Sequence, residues 1–196
     1  MTSPVPTIRL AAGDTSYPCP AADTLLRAGL RSGLGLPYEC NVGSCGNCKF
    51  ELIEGEVEMA WPQAPGWKDK DREKNRYLGC QSHASTNCVI KLNPAPKYVP
   101  LHTPRRIPAT LKATRKINHD ISEFSFELSQ ALAFEPGQYA LLYLPGLVGA
   151  RAYSMSNTAG STVWEFQVRR TPTGKGTAVL FDQLKVGNTV EIDGPY

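Results

Sequence analysis

Four cysteines constrain this chain more than any other feature. Cys40, Cys45 and Cys48 stand in the run YECNVGSCGNCK with the spacing C-x4-C-x2-C, and Cys80 follows about thirty residues later in RYLGCQ. This is the spacing of four thiolates around a [2Fe–2S] cluster, a carrier of single electrons at low potential, typically about −400 mV. Thiolates are soft, anionic ligands that bind ferric iron strongly. Gly43 and Gly46 allow the backbone to curl with positive φ and close approach, so that N–H groups can point at sulfur and tune the potential. Ser44 and Asn47 are small polar residues suited to such a loop. A zinc site would favour paired C-x2-C knuckles, and only Cys45 and Cys48 form one.

Composition narrows the class. A formal charge of +3 over 196 residues is too small to argue for nucleic acid, and the basic residues alternate with acidic ones, as in KDKDREK at 68–74. The N-terminal run MTSPVPTIRLAAGD has no basic segment followed by a long apolar core, so no signal peptide is expected. No apolar run approaches the roughly 20 residues of a membrane span. A cytoplasmic location with no membrane partner is the default expectation, and there clustered cysteines bind metal more often than they form disulfides. The two outside the pattern, Cys19 and Cys88, read as small buried hydrophobes on strands. Glu51, Glu54, Glu56 and Glu58 read as a solvated strand face, with a docking patch for a basic electron acceptor as the alternative.

The chain divides in two. Ile8–Leu10 and Ser16–Cys19 read as strands around AAGD. Asp23 can cap a helix through TLLRAGLRSG with Leu25, Leu26, Ala28 and Leu30 on its apolar side, ended by Gly33 and Gly35. Lys49–Ile53, Val57–Met59 and Val89–Leu92 read as strands, and Asp69–Asn75 as helix-compatible. The run NPAPKYVPLHTPRRIP (93–108) has five prolines in sixteen residues, which suit neither a helix nor a central strand. It reads as a semi-rigid linker, with boundaries at 94–106 between units 1–93 and 107–196. Thr110–Ile117, Ile121–Leu128, Tyr139–Leu144, Val163–Arg169 and Thr189–Ile192 have strand character. Thr177–Leu184 reads as one helix, and the whole as a small antiparallel barrel.

Two segments of the second half carry chemistry. In TPTGKGTAVL (171–180), Gly174, Lys175, Gly176 and Thr177 open a helix, where free N–H groups and the helix dipole favour phosphate. In RAYSMSN (151–157), Arg151 offers a guanidinium and Tyr153 a ring that could stack on a cofactor. Together these segments resemble the flavin-binding domain of the ferredoxin–NADP reductase superfamily, with R-x-Y-S at Arg151, Ala152, Tyr153 and Ser154 and G-x-x-S/T at Gly174 and Thr177. PGQY (136–139) looks like that family's strand entering the barrel. The resemblance implies that Arg151 pairs with the flavin diphosphate, Tyr153 packs on the isoalloxazine, and Ser154 sits near its N5. Gly174–Thr177 would hold phosphate, and Val168–Arg170 would line the pyrimidine edge through backbone.

The order of the halves resembles the reductase components of bacterial multicomponent oxygenases, closest to the toluene monooxygenase type by ELIEGEVEMAWPQAPGW and KNRYLGCQ. The resemblance implies an α+β chain: an N-terminal β-grasp plant-type ferredoxin domain and a C-terminal antiparallel β-barrel flavin domain. It favours FAD over FMN. Electrons would pass from NADH through FAD and the cluster to a terminal oxygenase or an intermediate ferredoxin. No acid–base triad is needed, because the cofactors carry the chemistry. His83, His102 and His119 read as isolated surface or loop residues. Family members continue into an NADH-binding domain. This sequence stops at IDGPY (192–196), about where that domain is expected to begin, and holds no dinucleotide fingerprint. The rival reading is an electron carrier or redox-sensing module fused to a non-catalytic barrel.

Overall fold

The computed structural model describes residues 4–196, which form two compact units divided between Thr103 and Pro104. The first contains β1 (Thr7–Leu10), β2 (Ser16–Pro18), α1 (Leu25–Arg31), β3 (Lys49–Glu54), β4 (Val57–Met59), α2 (Asp69–Arg72), β5 (Arg76–Leu78), β6 (Ser82–Ala84) and β7 (Cys88–Lys91). Its main sheet has the order β2-β1-β7-β3-β5, and β4 and β6 form a separate pair. The β1–β7 pairing is parallel and the other pairings are antiparallel. Every second residue of β1 is buried, so Ile8 and Leu10 enter the core while Thr7 and Arg9 stay outside.

α1 lays Leu25, Leu26, Ala28 and Leu30 into that core, all at most 3% exposed. Each buried leucine contributes about 1.5–3 kcal/mol. Asp23 is not the cap expected from sequence. Thr24 is, its hydroxyl accepting from the Arg27 N–H at 3.4 Å, while Asp23 is drawn off into an ion pair with Arg31 at 2.7 Å. The helix ends at Gly33 (φ +78°), with Gly33 N–H donating to Leu30 O and Leu34 N–H to Gly29 O, both at 3.0 Å. That pair of bonds is a Schellman closure. Gly35 serves a different purpose: a β-carbon there would lie 2.2 Å from Ala95 O.

The proline-rich stretch is therefore only partly a linker. Ala95 N–H donates to Gly35 O at 2.8 Å, Pro96–Tyr98 form a 3-10 turn, and the Tyr98 ring lies 6.5 Å from that of Tyr38. At its other end Pro108 lies inside a strand. Its carbonyl accepts from Ser129, beyond the end of the neighbouring strand. A strand residue's N and C=O point the same way, so the missing donor faces Ser129, past the end of that strand.

The second unit consists of β8 (Arg105–Lys116), β9 (Ile121–Leu128), β10 (Tyr139–Tyr143), β11 (Arg151–Ser154), β12 (Val163–Arg169), α3 (Lys175–Ala178) and β13 (Thr189–Gly194). One six-stranded sheet has the order β11-β10-β13-β8-β9-β12. The sheet curls until its edges meet. Ser156, just past β11, donates to Glu165 of β12 at 2.8 Å, and the Asn157 amide bridges Val163 O and Glu165 N, both at 2.9 Å. The enclosed core includes Phe124, Phe126, Trp164, Phe166 and Ile192. The helix expected over Thr177–Leu184 starts earlier, at Lys175, and widens into a π-helical turn over Val179–Gln183. This turn buries Val179 and Leu180 and sets Phe181 edge-on against Phe124 at 5.2 Å.

Candidate metal and cofactor sites

The cysteine loop runs irregularly between α1 and β3. Asn41, Gly43 and Gly46 all have positive φ (54°, 88° and 83°), and the curl turns N–H groups toward sulfur. Ser44 and Cys45 N–H point at Cys40 Sγ at 3.3 Å, Asn47 N–H at Cys45 Sγ at 3.4 Å, and Cys80 N–H at Cys48 Sγ at 3.5 Å. The thiols pair as two and two, Cys40 with Cys45 and Cys48 with Cys80. Among the described residues no three His, Cys, Asp or Glu side chains converge on a single-ion position. Two thiols for each of two irons is the arrangement a [2Fe–2S] cluster takes.

The environment favours thiolate at part of the loop. Burial pushes the Cys40 thiol up, but the N–H groups of Val42, Cys45 and Ser44 outweigh it and the net shift is down. The hydrogen bond with Cys48 lowers Cys80 to about 7, against burial and with help from the Arg27 cation. Cys48 is pushed up in return by that bond and by burial. Thiolate is the form that ligates metal. Cys40 is half-buried, Cys45 exposed, and Cys48 and Cys80 buried.

Three groups around the loop were not singled out from sequence. Residues 61–66 cover it: a β-carbon on Gly43 would lie 3.2 Å from both Ala64 Cβ and Trp61 Cε3, and Gly66 N–H donates to Gly43 O at 2.9 Å. The Gln81 amide lies 3.8 Å from Cys80 Sγ. Beside the loop, Arg27 donates to Asn41 Oδ1 at 3.2 Å and Asn41 O at 3.0 Å. The available signal was the position of Asn41 inside the cysteine run. Cys19 and Cys88 are buried at 1% and 2% exposure.

In the second unit Arg151 and Tyr153 project from β11, paired with β10 so that Tyr153 faces Ala140. Gly176 joins them to the turn. A β-carbon on it would lie 3.1 Å from Arg151 Cγ and 3.2 Å from Tyr153 Oη. Arg151 Nη1 folds back on the carbonyls of Val148, Gly149 and Ala150 at 3.4, 3.4 and 3.1 Å. Burial raises the Tyr153 hydroxyl pKa, partly offset by Arg151. Thr177 turns its hydroxyl inward, donating to Gly174 O at 2.9 Å and Thr171 O at 3.3 Å. It braces the turn, leaving the backbone N–H groups and Lys175 as the means of holding an anion. A β-carbon on Gly174 would lie 2.0 Å from Thr171 Oγ1 and 2.6 Å from Thr177 Oγ1, so any side chain there would displace this hydroxyl pair.

Ala152 and Ser154 complete β11, with Ser154 exposed. Val168 and Arg170, expected to act through backbone, have their side chains engaged otherwise. Val168 faces the barrel core at 2% exposure. Arg170 pairs with Asp182 at 2.8 Å beside the Phe181 ring.

Two family models match along the chain: the 2Fe-2S iron-sulfur cluster binding domain over residues 9–85 and the oxidoreductase FAD-binding domain over residues 108–196. Each unit thus matches one of these two domain models. It is 40% identical over 188 residues to the ferredoxin–NAD(P)+ reductase CarAd of Metapseudomonas resinovorans, covering 93% of this chain and 56% of that protein. It is 37% identical over 185 residues to the ferredoxin–NAD+ reductase component of the alkene monooxygenase system of Xanthobacter autotrophicus, covering 92% and 55%. Among solved structures it resembles the ferredoxin reductase in carbazole 1,9a-dioxygenase, with a TM-score of 0.92 and 38% identity over 97% of this chain and 58% of that one. The chain thus spans just over half the length of these relatives.

The residues present fit both groups. The 2Fe-2S domain offers four thiols in two pairs, with backbone donors at three of the sulfurs. The FAD-binding domain offers a side-chain-free cradle at Gly176 beneath an arginine and a tyrosine. No helix is long and apolar enough to cross a membrane among the described residues.

Proposed function

We propose that this chain performs the flavin and iron–sulfur steps of an oxygenase reductase. It takes the electron pair of NADH at FAD and delivers electrons singly, through a [2Fe–2S] cluster, to a terminal oxygenase or an intermediate ferredoxin. The observation that carries this is the co-occurrence in one chain of a four-thiol loop and a cradle joining Arg151, Tyr153 and Gly176. Flavin, when bound, supplies the exchange between two-electron and one-electron chemistry, and the cluster supplies one-electron transfer.

The chain's residues do the rest. Cys40, Cys45, Cys48 and Cys80 ligate the two irons. The N–H groups of Ser44, Cys45, Asn47 and Cys80 stabilise negative charge on sulfur and so favour reduction. Arg151 and the turn from Gly174 through Lys175, Gly176 and Thr177 neutralise the FAD diphosphate. Tyr153 and Ser154 position the isoalloxazine, and Val168 and Arg170 contribute backbone. The name of the alkene monooxygenase relative supports an oxygenase as the consumer of these electrons.

Anaerobic reductive titration tests the reading. The loaded chain takes up about three electrons, two at flavin and one at the cluster, and then reduces cytochrome c. Uptake of a single electron per chain would leave only a ferredoxin-type carrier.

A further inference from the structure

Arg27 is a buried cation beside the cluster loop. Its residue is 6% exposed, and the Asn41 that it grips is 1% exposed. The guanidinium holds Asn41 by both its side-chain and backbone oxygens, at 3.2 and 3.0 Å, and Asn41 follows the ligand Cys40 directly. The start of α1 is fixed against the other end of the site too. Leu26 N–H donates to Gly79 O at 3.0 Å, and a β-carbon on Gly79 would lie 3.3 Å from Leu26 Cβ. Gly79 N–H in turn bonds Cys48 O at 2.8 Å. Arg27 is therefore held between the segments that carry Cys40 and Cys80.

Burying a guanidinium is costly, and an apolar side chain of the same length would fill this space without that cost. Its charge has a use here. Two ferric ions, two sulfides and four thiolates leave a net negative charge, and the incoming electron makes it more negative. A fixed positive charge nearby in a low-dielectric surrounding stabilises the reduced form more than the oxidised one.

We infer that Arg27 is a positioning residue that raises the reduction potential of the cluster by its buried charge, while its hydrogen bonds hold Asn41 in the left-handed turn of the loop. The inference rests on the assignment of the four cysteines as ligands.

The test is a spectroelectrochemical titration of the holoprotein and variants at Arg27, with iron and sulfide measured on each. In Arg27→Gln the ratio of reduced to oxidised cluster at a fixed poise falls about tenfold, a 59 mV negative shift for one electron. Arg27→Lys, which keeps the charge and loses the fork, stays near the wild-type potential. Where Gln does not retain the cluster, Arg27→Met, which keeps the packed stem, carries the same test. A neutral variant with full iron and sulfide and an unchanged potential overturns the inference. Wild-type protein without iron and sulfide overturns the ligand assignment, and the inference with it.

Discussion

Gly66 lies so close to Gly43 that it cannot carry a side chain without displacing the cysteine loop. The Gly66 N–H donates to Gly43 O at 2.9 Å, and a β-carbon on Gly66 would come within 2.8 Å of both Gly43 O and Gly46 N. Both are backbone atoms that cannot swing aside. Gly66→Ala therefore lifts residues 61–66 off the loop and exposes the half-buried Cys40 side of the site. Cluster loss under chelator is expected to accelerate at least about tenfold, the effect of roughly 1.4 kcal/mol, followed by bleaching of visible absorbance. Unchanged bleaching would mean that the cover does not protect the site.

Cys80 lies far from the other three cysteines in sequence but is brought to Cys48 by its own N–H at 3.5 Å. Cys80→Ser is expected to strip most iron and sulfide while leaving flavin bound. Full iron content with an unaltered spectrum would remove Cys80 from the ligand set.

Gly176 makes the corresponding demand in the second unit. A valine there would press on Arg151 Cγ and Tyr153 Oη, 3.1 and 3.2 Å from its β-carbon. Gly176→Val is expected to weaken flavin binding about tenfold or more, read by flavin fluorescence during titration of deflavinated protein, with iron content unchanged. Equal flavin affinity would count against this cradle.

The legibility of these features differed for physical reasons. β9 and β12 were read to their end residues because alternating apolar positions over seven or eight residues leave one register. β5 and β6 were not read, since three residues such as RYL or SHA give no period to detect. The cysteine ligands could be named because chemistry fixes their spacing, whereas Gly66, Ala64 and Arg27 act through contacts between segments distant in the chain. Thr24 displaced Asp23 as cap because Arg31, one helix length away, competes for the carboxylate.

Glu123 gives the barrel a pH signature. The Arg115 guanidinium at 2.7 Å, helped by the Gln167 amide, holds its carboxyl below the ordinary 4.5 despite burial. A depressed folded value stabilises above the unfolded pKa and is lost as pH falls through the folded one. Wild type is expected to exceed Glu123→Gln in unfolding midpoint above pH 4.5, with the gap closing as pH drops below it. A gap constant across that range would show that the charge contributes nothing.

The most direct measurement is the visible spectrum of the purified chain with iron, acid-labile sulfide and released flavin quantified together. The account predicts about two irons, two sulfides and one FAD per chain. Iron and sulfide without flavin, after reconstitution with excess FAD, would contradict it, and so would flavin without iron.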